Sequence, residues 1–193
     1  MFDDLITSKT RTKVLNSYLE SPKKMYHVRE VVRRVGEEIN AVRRELIHLE
    51  KKGILKKEPR ANRVYYFLNE SYPFYDDLLR VYVKSSGLGE GIIKNKAKLG
   101  KIKFAMLTGY FAKNTQAKEG EVFVDILVVG TVVLPELNLL IKEEEMRKGR
   151  EINYTVMSEE EFDFRKKRRD PFISQVIAGS RIMLIGDEES LIS

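Results

Sequence analysis

Asparagine and arginine side chains recur at helical spacing between residues 39 and 52. Asn40, Arg43 and Arg44 fall on one side of a helix there, and the other side carries an apolar stripe of Ile39, Val42, Leu46 and Leu49. In the major groove of DNA, arginine can pair bidentately with guanine, and asparagine with adenine. The segment therefore predicts a helix that buries one face and presents base-reading side chains on the other.

Basic residues continue beyond this helix, in a segment with the pattern of a β-hairpin. Gly53 ends the helix, and two β-type runs follow, residues 54–57 and 63–68, joined by a turn over residues 58–62. A basic hairpin beside a base-reading helix can contact phosphates, and the candidates are Lys56, Lys57, Arg60 and Arg63. His48, on the helix itself, is either an ordinary surface side chain or a further phosphate contact.

Two shorter helical patterns precede these elements. The first runs from Ser8, a capping residue, to about Leu19, and the second covers residues 27–35 and ends at Gly36. Helix, short helix, longer helix and hairpin is the element order of a winged helix.

Residues 42–46 (VRREL) and 49–55 (LEKKGIL) resemble the winged helix-turn-helix transcription regulators, the arsenic-repressor-like group in particular. The resemblance implies that double-stranded DNA is a partner. The metal-sensing members of that group bind their metal through cysteines or through clusters of histidine and carboxylate. This chain has no cysteine, and His27 and His48 are isolated, so we expect no metal site and no cofactor.

The positive charge of the chain is confined to its first third. Residues 1–70 hold 16 lysines and arginines against 10 aspartates and glutamates, whereas residues 71–193 hold 19 of each. Such asymmetry is typical of a polyanion-binding module joined to a neutral one. The N-terminus has no secretory pattern, and no apolar run approaches the ~20 residues that span a bilayer. We therefore expect a cytoplasmic protein with no membrane partner.

Residues 71–100 form a helical segment between the two parts. A helix over residues 73–84 carries apolar side chains on more than one face, so it must be covered on several sides. The cover is either the chain's own domain or a second copy, and we expect a homodimer through residues 73–84. The sequence SSGLG at 85–89 predicts a hinge, followed by a connecting helix over residues 90–99.

From residue 101 onward, strand and helix patterns alternate. Strands are predicted over residues 101–108, 122–129, 151–157 and 181–185, with helices over residues 135–148 and after Ser158 and Asp170. The predicted organisation is therefore three parts: a DNA-binding domain at 1–70, dimerisation and linker helices at 71–100, and an α/β domain at 101–193.

Residues 107–113 (LTGYFAK) and 124–130 (VDILVVG) resemble the minimal nucleotidyltransferase fold. Over about residues 8–190, the chain also resembles archaeal and bacterial regulators that join a winged helix to such a domain. The resemblance implies a mixed sheet and a nucleotide pocket at Gly109, Tyr110 and Asp125. In that family, backbone amides at a Gly-Ser helix start hold a phosphate, and two acidic residues spaced i, i+2 bind magnesium.

The chain departs from that pattern at the catalytic positions. Tyr110 stands at the serine position, and Phe123 stands at the first acidic position. Glu121 shares a face with Asp125 but lies about 13 Å along the strand, too far to share one metal; Glu119 and Glu151 are the other carboxylates that could substitute.

The expected fold is an α+β winged helix followed by an α/β nucleotidyltransferase-like domain with a mixed sheet. We expect a dimeric, sequence-specific transcription regulator whose C-terminal domain is catalytically inactive. That domain is either a structural or dimerising module or a retained pocket for a nucleotide or another small effector. A magnesium-dependent or antitoxin-type nucleotidyltransferase is the first alternative. A protein-interaction adaptor is the second.

Overall fold

The computed structural model describes residues 7–115 and 124–193. Contacts between residues divide the chain into a unit of residues 1–82 and a unit of residues 83–193. This boundary falls inside the segment predicted as linker. In the part of the chain that the structure describes, no helix is both long and apolar enough to cross a membrane.

The first unit contains the helices α1 (Lys9–Leu19), α2 (Val28–Val35) and α3 (Ile39–Lys51). Ser8 caps α1 by accepting a hydrogen bond from the backbone of Arg11, as the sequence predicts. The buried stripe of α3 consists of Val42, Leu46 and Leu49. Each buried side chain of this kind contributes about 1.5–3 kcal/mol, so the stripe fixes which face of α3 remains outside.

A three-stranded antiparallel sheet completes this unit, with β1 (Tyr26–His27), β2 (Leu55–Arg60) and β3 (Arg63–Leu68) in the order β1-β3-β2. The predicted turn over residues 58–62 is wrong, because β2 continues to Arg60 and the turn is only two residues long. Pro59 fits within β2 because this strand lies at the edge of the sheet. Ala61 takes the positive φ, +51°, that the tight turn requires.

Two helices follow, α4 (Tyr75–Lys84) and α5 (Gly87–Lys94). The predicted hinge over residues 85–89 is wrong in part, because Gly87, Leu88 and Gly89 form the first turn of α5. A Cβ atom on Gly89 would lie 2.0 Å from the carbonyl oxygen of Val83. Gly89 therefore serves close packing of backbone against backbone rather than flexibility.

The second unit contains a mixed four-stranded sheet of β4 (Gly100–Thr108), β5 (Ile126–Val132), β6 (Tyr154–Met157) and β7 (Arg181–Ile185), in the order β6-β5-β4-β7. Only β5 and β6 are parallel, because α7 (Leu134–Lys148) connects them. The mixed sheet is as predicted. The strand predicted from residue 122 begins at Ile126 instead, and residues 122 and 123 lie outside the described residues.

Four short helices surround this sheet: α6 (Gly109–Lys113), α8 (Glu159–Lys167), α9 (Pro171–Ala178) and α10 (Glu188–Ile192). One face of the sheet buries Phe104 and Met106 in a core shared with side chains of α8, α9 and α10, namely Phe162, Ile173, Val176 and Leu191. On the other side, α5 packs against α7. The five-residue α10 was not predicted, because it is too short to show a period.

Candidate functional site

The exposed face of α3 carries the side chains expected to read bases. Asn40, Arg43 and Arg44 are all exposed, and Ile47 and Lys51 lie on the same face. In the described part of the chain, Arg43 and Arg44 have no hydrogen-bond or salt-bridge partner. Their guanidinium groups are therefore available to an external partner.

A partly buried ion pair holds α3 against α1. The carboxylate of Glu45 accepts hydrogen bonds from Ser8 Oγ at 2.8 Å and from Arg11 Nε at 2.7 Å. Burial acts to raise the pKa of Glu45, but the hydrogen bonds from Arg11 and Ser8 outweigh it and hold the pKa below its ordinary value. The contact of Glu45 with Ser8 and Arg11 thus helps to fix how α3 is turned, with Arg43 and Arg44 facing outward.

The N-terminus of α3 is closed to phosphate. The Glu38 carboxylate accepts hydrogen bonds from the backbone amides of Asn40 at 2.7 Å and Ala41 at 3.2 Å. A helix N-terminus can bind a phosphate only through amides that are free. Any polyanion bound at α3 is therefore held by its side chains.

The four basic residues of the hairpin divide into two classes. Lys57 pairs with Glu50 at 3.3 Å, and Arg60 pairs with Glu58 at 2.6 Å. Lys56 and Arg63 are exposed, and they have no partner among the residues that the structure describes. Exposed pairs such as Arg60–Glu58 contribute little to stability, so all four cations can still meet a polyanion. Lys56 and Arg63 do so without giving up an existing contact.

A groove of about 490 Å³ separates α3 from β3. Its walls include Arg29 from α2, Arg43 from α3 and Arg63 from β3, so three arginines surround one depression. The sequence analysis missed Arg29, which sits in the first turn of α2, away from the segment with the strongest pattern. It also missed Ile47 and Val64, two exposed apolar residues on the same walls. His48 is partly exposed and does not line this groove.

The second unit has a smaller pocket, of about 260 Å³, beside α6. Its lining includes Gly109 and Tyr110, together with Lys113, Thr115, Gln175 and Ser180, but not Asp125. The Gly109 amide donates to the Ser180 carbonyl at 2.7 Å, and a Cβ atom on Gly109 would overlap Ser180 Oγ. The amide predicted to hold a phosphate is therefore already occupied.

Asp125, the expected metal ligand, is fully buried in an ion pair. Its two carboxylate oxygens accept hydrogen bonds from Arg150 at 2.7 Å and 2.9 Å, and the backbone amide of Asn153 donates a third at 3.0 Å. The hydrogen bonds to Asp125 raise the pKa of Arg150 above its ordinary value. The sequence analysis did not identify Arg150, whose guanidinium occupies the side of the carboxylate where a cation would bind.

The remaining carboxylates considered as metal ligands do not complete a site in the described structure. Glu151 is exposed, and its backbone carbonyl accepts a hydrogen bond from Arg150. Glu119, Glu121 and Phe123 lie outside the described residues. Within residues 7–115 and 124–193, no three histidine, aspartate or glutamate side chains cluster closely enough to hold a metal ion.

A second group of buried charges lies on α7. Glu144 is almost completely buried and accepts hydrogen bonds from Arg147 and from the Leu88 amide at the start of α5. The ammonium group of Lys148 lies 4.0 Å from Glu144 Oε1 and 4.4 Å from the ring centre of Phe111. Burial lowers the pKa of Lys148 to about 8. The carboxylate of Glu144 is therefore engaged by Arg147, with Lys148 nearby, and is not available to a ligand.

The apolar side chains of α4 are largely covered within the single chain. Tyr75, Leu79, Tyr82 and Val83 are all buried. Leu79 and Tyr82 are therefore covered by the chain itself and offer little surface to the homodimer predicted through residues 73–84. On the segment 73–84, the large apolar side chain that remains exposed is Phe74, at 59%.

No protein-family model, no curated protein and no solved structure matches this chain.

Proposed function

We propose that this chain is a sequence-specific, double-stranded-DNA-binding transcription regulator whose first unit is a winged helix-turn-helix domain. In this proposal α3 lies in the major groove, where Asn40, Arg43 and Arg44 reach base edges. Lys56, Lys57, Arg60 and Arg63 of the hairpin contact phosphates, and His48 supplies a further polar contact.

The observation that carries the proposal is the unpaired state of Arg43 and Arg44 on the exposed face of α3. The order of the elements also supports the proposal, because three helices and a sheet in the order β1-β3-β2 are what a winged helix would have. The positive excess of residues 1–70 supplies the attraction for a polyanion. A protein-interaction adaptor would need no uncompensated arginines at base-reading spacing, so we rank that alternative lower.

Equilibrium binding of the full chain to random-sequence duplex DNA at low salt, and then to duplexes selected from a random pool, tests the proposal. Arg43→Ala and Arg44→Ala should each lower affinity for a selected sequence by about 5- to 150-fold, because each removes about 1–3 kcal/mol of base discrimination. Lys142→Ala, which removes one exposed positive charge from the second unit, should leave the affinity nearly unchanged. Equal effects of all three variants would show that α3 does not read bases.

We infer that the second unit has a nucleotidyltransferase-like fold without nucleotidyl transfer. Catalysis in that family needs a carboxylate pair free to bind magnesium, whereas both oxygens of Asp125 are engaged by Arg150. Incubation of the full chain with labelled nucleoside triphosphates and magnesium or manganese should yield no transfer product. Turnover that Asp125→Asn abolishes, with the variant shown to be folded, would instead support the magnesium-dependent or antitoxin-type transferase.

The pocket beside α6 is the proposed site for a small effector. It retains Gly109 and Tyr110, and Lys113 offers a cation to an anionic ligand. A nucleotide that binds there should raise the unfolding temperature, and above its Kd the rise should grow with the logarithm of its concentration. The rise should be smaller in Lys113→Ala; an equal rise in the variant would place the ligand elsewhere.

We also propose a homodimer through residues 73–84, now with Phe74 as its exposed apolar contact. Phe74→Glu should convert dimers to monomers in sedimentation at tens of micromolar, because a charge would enter the contact. Phe164→Glu is the matched control, since Phe164 is 57% exposed on α8. A wild-type chain that sediments as a monomer at that concentration would refute the dimer.

A further inference from the structure

An isoleucine interrupts the polar surface of α3. Ile47 is 40% exposed, although its helical neighbours on that face are Asn40, Arg43, Arg44 and Lys51. Ile47 follows Arg43 by four residues and Asn40 by seven, so the three side chains lie on the same side of the helix. The buried stripe of α3 is complete without Ile47, because it consists of Val42, Leu46 and Leu49.

A second exposed aliphatic residue faces the same depression. Val64 on β3 is 39% exposed and lines the groove that Ile47 and Arg43 also line. The surface around Ile47 is thus basic with an apolar centre. An apolar partner surface of a protein would not be attracted by this surrounding charge, whereas the major groove combines negative charge with one apolar group, the C5-methyl of thymine.

We propose that Ile47 contacts the C5-methyl group of a thymine and thereby sets part of the sequence preference, an inference that rests on the proposed DNA binding. Asn40, which is suited to adenine, lies about 10 Å away along the helix axis, given a rise of ~1.5 Å per residue. With base pairs ~3.4 Å apart, this spacing places the adenine and the thymine roughly three base pairs from each other.

Removal of single thymine methyl groups from the DNA tests this contact. Duplexes are first selected from a random pool with the full chain, and each thymine is then replaced singly by deoxyuridine, which lacks only the methyl group. At one thymine, uracil should lower wild-type affinity about fourfold, the effect expected for burial of one carbon group. Ile47→Ala should bind the thymine and uracil forms of that site equally.

Ile93→Ala is the matched control, because Ile93 is also 40% exposed but lies in the second unit. This variant should keep the wild-type sensitivity to uracil. The inference is overturned if uracil has no effect at any position, or if Ile47→Ala remains as sensitive as the wild type; in either case DNA binding itself would stand. Absence of any duplex binding would overturn the proposed function and this inference together.

Discussion

The two units use arginine in opposite ways. On α3, Arg43 and Arg44 project into solvent without a partner in the described part of the chain. In the second unit, Arg150 forms an ion pair with the buried carboxylate of Asp125, and Arg147 forms one with the buried carboxylate of Glu144. The first arrangement leaves positive charge to be compensated by another molecule, and the second compensates it internally.

Pairing, rather than residue type, therefore distinguishes the candidate binding arginines of α3 from the structural arginines of the second unit. The resemblance to nucleotidyltransferases makes Asp125 a candidate metal ligand, yet the structure shows it in an ion pair with Arg150. A buried pair of this kind is costly to break, because removal of one partner leaves an uncompensated charge in the interior. An exposed, unpaired arginine costs the folded state little and adds little to its stability.

The largest expected effect is that of breaking the Asp125–Arg150 pair. Arg150→Ala should lower the free energy of unfolding by about 3–5 kcal/mol, because it strands a fully buried carboxylate. Urea unfolding followed by circular dichroism measures the loss. Arg44→Ala is the control and should change stability by no more than about 0.5 kcal/mol. Equal stability of the two variants would contradict the contrast between the units.

The next largest effect is a pH dependence that comes from Lys148. With its pKa lowered by burial to about 8, the folded chain binds fewer protons than the unfolded chain from about pH 8 up to about 10.4. Stability must therefore increase with pH across this window. Between about pH 7.5 and 9.5 the free energy of unfolding should rise by about 2 kcal/mol.

Lys148→Met should lack this rise, whereas Lys142→Met, an exposed lysine on the same helix, should keep it. The charged groups that act on Lys148 are Glu144, Arg147, Arg150 and Asp125, and all belong to the second unit. An identical pH profile in both variants would show that Lys148 keeps an ordinary pKa.

A smaller effect is expected in the hairpin. Lys57→Ala should weaken binding to all duplex sequences by about threefold, since one phosphate contact is lost and the contact competes with Glu50. Competition assays with selected and random duplexes measure it, with Lys142→Ala as the control. A changed sequence preference in Lys57→Ala would mean that the hairpin reads bases as well.

Local signals in the sequence predict much of the fold. Ser8, Gly36 and Gly149 end or begin helices where expected, and strand β7 has the predicted bounds. These features depend on residues close together in the chain. The exposed face of α3 is equally local, because helical periodicity alone separates Arg43 and Arg44 from the buried stripe.

What the sequence did not predict depends on contacts between distant residues. Arg150 reaches Asp125 across 25 positions, and no local pattern marks the two as partners. Gly89 suggests flexibility in sequence, but its proximity to the Val83 carbonyl shows a packing role. Pro59 suggests a turn, yet the edge position of β2 accommodates it within a strand.

The salt dependence of duplex binding tests the central claim most directly. For the full chain, the logarithm of the association constant should fall linearly with the logarithm of salt concentration, as counterions are released from the DNA. Lys56→Ala combined with Arg63→Ala should reduce the slope by roughly two, because about one phosphate contact is lost per residue. Lys96→Ala combined with Lys142→Ala, two exposed lysines of the second unit, should leave the slope unchanged. No duplex binding at low salt, or a slope that both double variants alter equally, would contradict the account.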